Sequence, residues 1–168
     1  IIEEGSVFLP GSGAPVLELP VGNQRPSDEE LVALKNSIPN QPRMISGLLS
    51  GNWVRQSPGQ QPIASGYTQA LGAVDVIMQQ AALSYELEQL ELPGFHPGRA
   101  GNVLVNGQVV GQVGQLHPDI ALDNHLPRQV GVFELNLDSL FEFSPEIVSA
   151  APIQVMPAAT QDLSLVVP

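Results

Sequence analysis

The three histidines are the first candidates for acid–base chemistry in this sequence. His96 and His117 each precede a proline, at the two ends of a segment rich in Val and Gly. If residues 96–118 fold back on themselves, the two imidazoles could lie near each other and act as general acid and base. The competing interpretation is structural, with each ring packed or capping a turn at a strand end. His125, in Asp-Asn-His-Leu-Pro, is interpreted as a surface loop residue.

Other catalytic and ligand-binding patterns are missing from the sequence. Two histidines without a carboxylate at ligand spacing are a weak signal for a metal site. The chain has no Cys, which excludes thiol chemistry, disulfides and zinc ribbons. There is no Gly-x-Ser-x-Gly motif, and no glycine-rich stretch has the Lys or the spacing of a phosphate-binding loop. We therefore predict no catalytic residues, no cofactor-binding residues and no metal ligands in this chain.

Two further side chains could contact a ligand. Arg99 follows His96-Pro-Gly and begins an apolar stretch. A carboxylate or carbonyl partner within the protein is the expected role of this arginine, and recognition of a phosphate or carboxylate is the alternative. Trp53 could stack on a ligand, although an aromatic ring that covers a sheet edge is the favoured interpretation.

Asn106-Gly107 is expected to position these residues as the turn of a central β-hairpin. Two Val-rich runs flank this dipeptide, which suits a two-residue type I′ turn. Counting outward from the turn pairs three residues of each strand: Val105 with Gln108, Leu104 with Val109, and Val103 with Val110. Both faces of the hairpin then carry apolar side chains, which predicts a place inside a sheet and not at its edge.

The rest of the chain predicts an α+β fold, an antiparallel β-sheet flanked by helices. We expect about seven strands, one long helix and two short helices. Ser27 and Glu30 have the spacing of a capping box for the first helix. Besides the hairpin, the predicted elements are strands at 1–9, 15–19, 43–51, 86–92 and 128–137, helices at 28–37, 68–83 and 118–122, a loop at 56–62 and a turn at 138–140.

Composition limits the functions open to this chain. Its 168 residues, 43% of them hydrophobic, are enough for one domain with a real core. Six basic residues face seventeen acidic ones, for a formal net charge of −11. Such a surface repels phosphate backbones, so a role near RNA would have to pass through a partner or another domain. No apolar run approaches the length of a membrane span, and no membrane partner is expected.

Six stretches of this sequence resemble the beta subunit of bacterial phenylalanyl-tRNA synthetases, in the same order and at compatible spacing. They include Ile-Glu-Glu-Gly-Ser-Val-Phe at the start and His-Pro-Gly-Arg-Ala before the hairpin, and they lie at 2–8, 45–51, 96–100, 106–118, 133–138 and 157–167. The resemblance implies a class II aminoacyl-tRNA synthetase-like core module over 1–143, with its N-terminal helices upstream of the first residue. It also implies a linker at 144–156 and the first strand of a ferredoxin-like anticodon-binding domain at 157–168.

The resemblance further implies a module that does no chemistry itself. In that family the alpha subunit makes phenylalanyl-adenylate with ATP and Mg²⁺ and charges tRNA-Phe, in a cytoplasmic (αβ)₂ heterotetramer. The beta module would hold the alpha subunit, and tRNA-Phe would bind other domains. The strand that matches the second class II motif carries Ser6 where many relatives have Arg, and Gln161 replaces an Arg before Asp162. The absence of any Arg from that strand argues against catalysis, and Ser6 weakens even a structural ion-pair role there. Gln161 argues against RNA contact at its position.

Within this interpretation, five residues are predicted to have structural roles: His96, Arg99, Asn106, Gly107 and His117. Two alternative functions stay open. One is a stand-alone acidic β-rich module that binds a ligand. The other is a small acid–base enzyme that uses His96 and His117.

Overall fold

The computed structural model describes residues 1–9, 25–147, 161, 162 and 164. The predicted strand at 15–19, most of the predicted linker at 144–156 and most of the predicted strand at 157–168 lie outside the described residues. The described elements are, in chain order, β1 (Ile2–Ser6), α1 (Asp28–Ser37), β2 (Arg43–Ser50), β3 (Asn52–Val54), β4 (Ile63–Ala64), α2 (Tyr67–Gln80), β5 (Glu86–Gln89), β6 (Phe95–Val105), β7 (Gln108–Leu116), α3 (Pro118–Asp123), β8 (Val130–Asn136) and α4 (Leu137–Phe143).

Six of the strands form one antiparallel sheet, in the order β1-β2-β8-β7-β6-β5. The predicted α+β fold with an antiparallel sheet is confirmed. β3 and β4 form a separate two-stranded sheet that the sequence does not predict. These two strands are three and two residues long, too short for alternation of apolar and polar residues to be visible.

The central hairpin forms as predicted near its turn and departs from the prediction further out. Asn106 and Gly107 have φ angles of 52° and 77°, the left-handed pair that a type I′ turn requires. The first two predicted pairs are confirmed, but Val103 pairs with Gly111 and not with Val110. The predicted pairing is wrong because Val110 is an extra, bulged residue. The bulge lets the Val110 side chain enter the core, while Gly111 takes the position opposite Val103.

Both hairpin strands are interior strands of the sheet, as predicted, with β5 and β8 as their outer neighbours. The predicted cover on both faces is only partly correct. On one face of the hairpin, Val103, Val105 and Val113 are buried. On the other face Leu104 is half-buried, and Val109 is 54% exposed beside the turn.

The hydrophobic core lies between the sheet and two helices. α2 packs across β7 and β8, and α4 packs on β2. The buried cluster joins these helices to the sheet and consists of Ala70, Val74, Met78, Val103, Val105, Val110, Val113, Phe133, Leu135 and Leu140. Phe133 needs a glycine on its neighbouring strand, since a Cβ atom built on Gly47 would lie 2.2 Å from the Phe133 ring.

The opposite face of the sheet carries a continuous row of polar residues. The strand register brings one polar side chain from each of the six strands into this row: Glu3, Ser46, Glu134, Gln112, Asn102 and Glu88. Because neighbouring side chains along a strand point to opposite faces, this row is separated from the apolar core by the thickness of the sheet. The row therefore gives the sheet a polar side and an apolar side.

Helix ends explain the remaining differences between prediction and structure. The capping box of α1 is confirmed, with Ser27 Oγ accepting from Glu30 N and Glu30 Oε2 accepting from Ser27 N. α2 ends at Gln80, earlier than the predicted residue 83, because Ala82 adopts a left-handed conformation with φ 54°. The predicted turn at 138–140 is wrong. Residues Leu137–Phe143 form α4, which Asn136 caps by accepting a hydrogen bond from Ser139 N.

Candidate functional site

His117 lies at the junction of β7 and α3, where it caps the helix. Its Nδ1 atom accepts a hydrogen bond from Asp119 N at 3.3 Å, and Pro118 occupies the first helical turn. The Asp119 carboxylate lies 3.7 Å from the same nitrogen, with its side chain largely in solvent. The backbone N–H of His117 donates to Gly94 O at 2.9 Å, which ties the two ends of the hairpin together.

His96 lies at the same end of the hairpin, although its ring has different surroundings. β6 begins at Phe95, so His96-Pro97 is inside the strand and not at its boundary as predicted. Phe95 pairs with Leu116, which brings the backbones of the two histidines close together. The His96 Nδ1 atom is 2.5 Å from Pro97 O, and its ring lines a polar cavity. The His117 ring is held at the start of α3 instead, so this arrangement does not support an acid–base pair.

Arg99 has a carbonyl partner, one of the two kinds of partner expected from the sequence. Its Nη1 atom donates a hydrogen bond to Oε1 of Gln115 at 3.0 Å. Gln115 is only 4% exposed and lies two residues beyond buried Val113, on the helix-covered face of the sheet. Asn106 and Gly107 are exposed at the far end of the hairpin, where they form its turn.

Arg99 and Gln115 separate two adjoining cavities that together we call the arginine cleft. The first cavity has a volume of about 260 Å³, and its lining is His96, Arg99, Gln115, Pro118, Arg128 and Gln129. The second, of about 360 Å³, shares Arg99, Gln115 and Gln129 with the first and is closed by the residues that begin α2. Sequence reasoning missed Gln115, Arg128 and Gln129. The one available signal was Gln115 itself, a polar residue at an inward position of a strand rich in Val and Gly.

The start of α2 lies directly on β8 because two glycines meet there. A Cβ atom built on Gly131 would be 2.3 Å from the carbonyl oxygen of Gly66, so only glycine allows this approach. Gly66 is the N-cap residue of α2 and has no side chain with which to cap the helix. Its own N–H donates to Oε1 of Gln69 at 2.9 Å. Gly66, Thr68 and Gln69 line the second cavity, so the first turn of α2 borders the arginine cleft.

A second surface feature, which we call the apolar groove, lies between α2 and the outer strands β1 and β2. Its volume is about 550 Å³, and its lining is Ile2, Leu49, Trp53, Thr68, Gln69, Gly72, Ala73, Val76, Ile77 and Phe133. Phe133 forms the buried floor, whereas Trp53 and Val76 are 63% and 57% exposed. The interpretation that Trp53 covers a sheet edge stays a prediction, since the ring lines the groove with most of its surface in solvent.

Neighbouring groups shift the pKa values of two side chains outside these features. The hydrogen bond and charge of Glu4 raise the pKa of Arg43, which also lies over the Phe141 ring, with 5.8 Å from the guanidinium carbon to the ring centre. Partial burial, together with a hydrogen bond to Asp75, raises the pKa of Tyr85 to about 12.

Within residues 1–9 and 25–147, no group of three or more His, Asp or Glu side chains could hold a metal ion. None of the helices described is long and apolar enough to cross a membrane.

Comparison with known proteins assigns the family. The family model described as the phenylalanyl tRNA synthetase beta chain CLM domain matches residues 1–137. The chain belongs to this family. The family match confirms the resemblance to phenylalanine–tRNA ligase beta subunits that the sequence predicted.

Curated relatives of this CLM-domain chain are themselves phenylalanine–tRNA ligase beta subunits. The protein of Leifsonia xyli subsp. xyli is 41% identical over 99% of this chain and 20% of the relative. That of Staphylococcus aureus strain RF122 is 35% identical over 78% of this chain and 16% of the relative. The chain thus spans about a fifth or less of the length of these relatives.

Proposed function

We propose that this chain is a non-catalytic structural module of a phenylalanine–tRNA ligase, and that it binds the catalytic alpha subunit through the apolar groove. The alpha subunit would use ATP and Mg²⁺ to charge tRNA-Phe, in a cytoplasmic (αβ)₂ heterotetramer. The tRNA would bind other domains of the complex. Family membership and the names of the relatives support the role in this ligase.

The observation that carries the docking role is the apolar groove. Isolated apolar residues are common on protein surfaces, but a contiguous concave patch is typical of an interaction site. Ile2, Trp53 and Val76 all line the groove and keep most of their surface in solvent. Gly72 and Ala73 between them are small, which would let a partner backbone approach α2 closely. Aromatic rings such as Trp53 are frequent anchors in such interfaces.

A class II-like architecture without chemistry is the second part of the proposal. The six-stranded antiparallel sheet with helices on one face supports it. β1, which matches the second class II motif, reads Ile-Glu-Glu-Gly-Ser and has no Arg with which to hold an ATP phosphate. The division into a core over 1–143, a linker at 144–156 and the first strand of an anticodon-binding domain at 157–168 stays a prediction.

Binding to the alpha subunit tests the docking role. The dissociation constant is measured for the alpha subunit of the same organism with wild-type chain and with Val76→Asp. A buried carboxylate without a partner is costly, so we expect at least about tenfold weaker binding. Leu122→Asp is the matched control, because it makes the same change at an exposed position of α3 outside the groove. Melting temperatures establish that both variants are folded.

Two results would count against the groove as the docking surface. One is unchanged affinity in Val76→Asp, and the other is an equal loss in Leu122→Asp. Trp53→Ala is a second test variant, which changes the groove without adding a charge. We expect it to weaken the complex as well, since it removes the largest exposed ring of the groove.

Catalysis is tested separately on the chain alone. We expect no phenylalanine-dependent exchange of pyrophosphate into ATP and no micromolar binding of phenylalanine. Exchange activity, or micromolar affinity for phenylalanine by calorimetry, would overturn the non-catalytic role. The acid–base enzyme with His96 and His117 receives no support from the arrangement of these two rings.

A further inference from the structure

The arginine cleft concentrates positive charge in a strongly acidic protein. Arg99 and Arg128 are two of only six basic residues in a chain with a net charge of −11. Within the part of the chain that the structure describes, the ion pairs are Arg43 with Glu4 and His117 with Asp119, so neither cleft arginine has a carboxylate partner. Two unpaired guanidinium groups in one cavity attract an anion from solution.

Arg99 is held in a position that leaves most of its donors available. A guanidinium group has five N–H donors, and the structure uses Nη1 of Arg99 for the bond to Gln115. Gln115 is almost completely buried, so it fixes the guanidinium against the floor of the cleft. Arg128 lines the cavity of about 260 Å³ beside Arg99, and its side chain has no hydrogen bond within the described residues. The paired N–H donors of a guanidinium group match the paired oxygens of a carboxylate or phosphate.

The first turn of α2 adds backbone donors to the same cleft. The first helical hydrogen bond runs from Ala70 N to Gly66 O, so the N–H groups of the three preceding residues are not used within the helix. Thr68 and Gln69 line the cavity that shares Arg99 and Gln115. The positive end of a helix dipole favours anions, and here it reinforces the two arginines.

We propose that the arginine cleft binds an oxyanion, the phosphate or carboxylate group of a small molecule. Arg99 and Arg128 supply the charged donors from the cavity that both line, and Gln115 orients Arg99. The start of α2 lines the adjoining cavity and contributes the positive end of its dipole. A cavity of about 260 Å³ accommodates such a group with a small attached body. The net charge of −11 disfavours a polynucleotide, whose many phosphates would be repelled by the acidic chain. This inference is independent of docking to an alpha subunit.

Titration with inorganic phosphate and with acetate tests the site on the whole chain of 168 residues. Each probe is added at constant ionic strength while ¹H–¹⁵N NMR follows the Nε–H groups of Arg99 and Arg128, together with the amides of Thr68 and Gln69 in the adjoining cavity. We expect saturable shifts confined to these groups. Saturation by both probes supports a general oxyanion site. Saturation by one probe alone also supports the proposal, and it identifies the bound group as a phosphate or as a carboxylate.

Charge-removing variants give the decisive comparison. Arg99→Gln and Arg128→Gln are each expected to weaken binding at least about tenfold. Arg55→Gln is the matched control, since it removes the same charge from an exposed arginine outside the cleft, and it should change affinity little. Arg128→Gln breaks no hydrogen bond of the fold, so its affinity for the probes can be measured even if Arg99→Gln unfolds the chain.

Two results would overturn the proposal. The first is the absence of saturable shifts with either probe up to about 50 mM, an affinity too weak to indicate a site. The second is an equal loss of affinity in Arg55→Gln, which would mean that overall charge and not the cleft decides binding. Neither result bears on the affinity for the alpha subunit, so the two proposals fail independently.

Discussion

The carbonyl oxygen of Gly66 lies against the Cα atom of Gly131, in the space where any other residue would have its Cβ atom. This contact fixes the start of α2 on β8. It also fixes the wall between the two surface features, because Thr68 and Gln69 line both the arginine cleft and the apolar groove. A small change at this contact should therefore affect stability and both surfaces together.

Gly131→Ala is expected to destabilise the fold by about 1–3 kcal/mol, the usual cost of overpacking a close contact. The new methyl group would lie 2.3 Å from Gly66 O, a backbone atom that can only move with the whole start of α2. Urea unfolding measures the free energy. Gly72→Ala is the control, because nothing lies within 4 Å of a Cβ atom there and it should stabilise α2 by about 1 kcal/mol. Equal stability in both variants would contradict the close contact.

Ala82→Gly is expected to stabilise the protein by about 1 kcal/mol, since Ala82 has φ 54° and only glycine adopts this region without cost. The residue ends α2 in a Schellman motif: Leu83 N donates to Met78 O at 2.9 Å, and Ala82 N donates to Gln79 O at 3.1 Å. The midpoint of thermal unfolding measures the gain.

Ala81→Gly serves as the partner experiment to Ala82→Gly. Ala81 has φ −78°, a right-handed conformation in which glycine has no advantage. We expect this variant to lose about 0.5–1 kcal/mol through the added flexibility of the unfolded chain. If both glycine variants changed stability in the same direction, the left-handed assignment of Ala82 would be wrong.

Tyr85 makes stability depend on pH in the alkaline range. Its pKa is about 12 in the folded state against 10.0 as the ordinary value, chiefly through burial and then through its bond to Asp75. The unfolded chain releases this proton first, so the stabilisation is complete below pH 10 and is lost as the pH rises toward 12. Wild-type protein should therefore lose stability over this range more steeply than Tyr85→Phe.

Absorbance at alkaline pH checks the same tyrosine directly. The chain has two tyrosines, so the wild type should show one ionisation step near pH 12 that Tyr85→Phe lacks. Asp75→Asn retains the phenol and removes the charge, and it should move this step to lower pH. An unchanged titration curve in Tyr85→Phe would disprove the assignment.

Gly107→Ala is expected to cost about 1 kcal/mol, because Gly107 has φ 77° in the hairpin turn. The relevant measurement is unfolding by urea. Gly5→Ala is a suitable comparison, since Gly5 lies in exposed β1 with nothing within 4 Å of the new atom. That substitution should remain within about 0.5 kcal/mol of the wild type.

Local sequence signals predicted the elements whose causes are local. Asn106-Gly107 specifies its own turn, and Ser27 with Glu30 specifies the start of α1, since each pair acts within four residues. The bulge at Val110 could not be predicted in this way. It depends on which side chains fill the core between β6, β7 and α2, information that belongs to the folded state. α4 was not predicted either, because its seven residues are too few for a clear apolar periodicity.

The surface features depend on relationships that the sequence does not display. The histidines stood out because of their residue type, whereas the arginine cleft joins Arg99 to Gln115 and Arg128, from three separate segments. Sequence reasoning expected a carboxylate or carbonyl partner for Arg99 and could not name it. The apolar groove arises from the position of α2 across the sheet, so no single stretch of sequence contains it.

The strand order also determines when each part of the molecule can form. β6 and β7 meet through a two-residue turn and β8 joins them soon after, so this half of the sheet forms from near neighbours in the chain. We expect the other half to close later, because its pairing of β2 with β8 joins distant parts of the chain. The hydrogen bond from Arg43 N to the Asp138 carboxylate, for example, spans 95 residues. Ile2 and Leu49 belong to this half, and Trp53 follows β2 on β3. If the apolar groove binds a partner as proposed, that partner would recognise only molecules whose sheet is complete, and assembly would itself check the quality of each new chain.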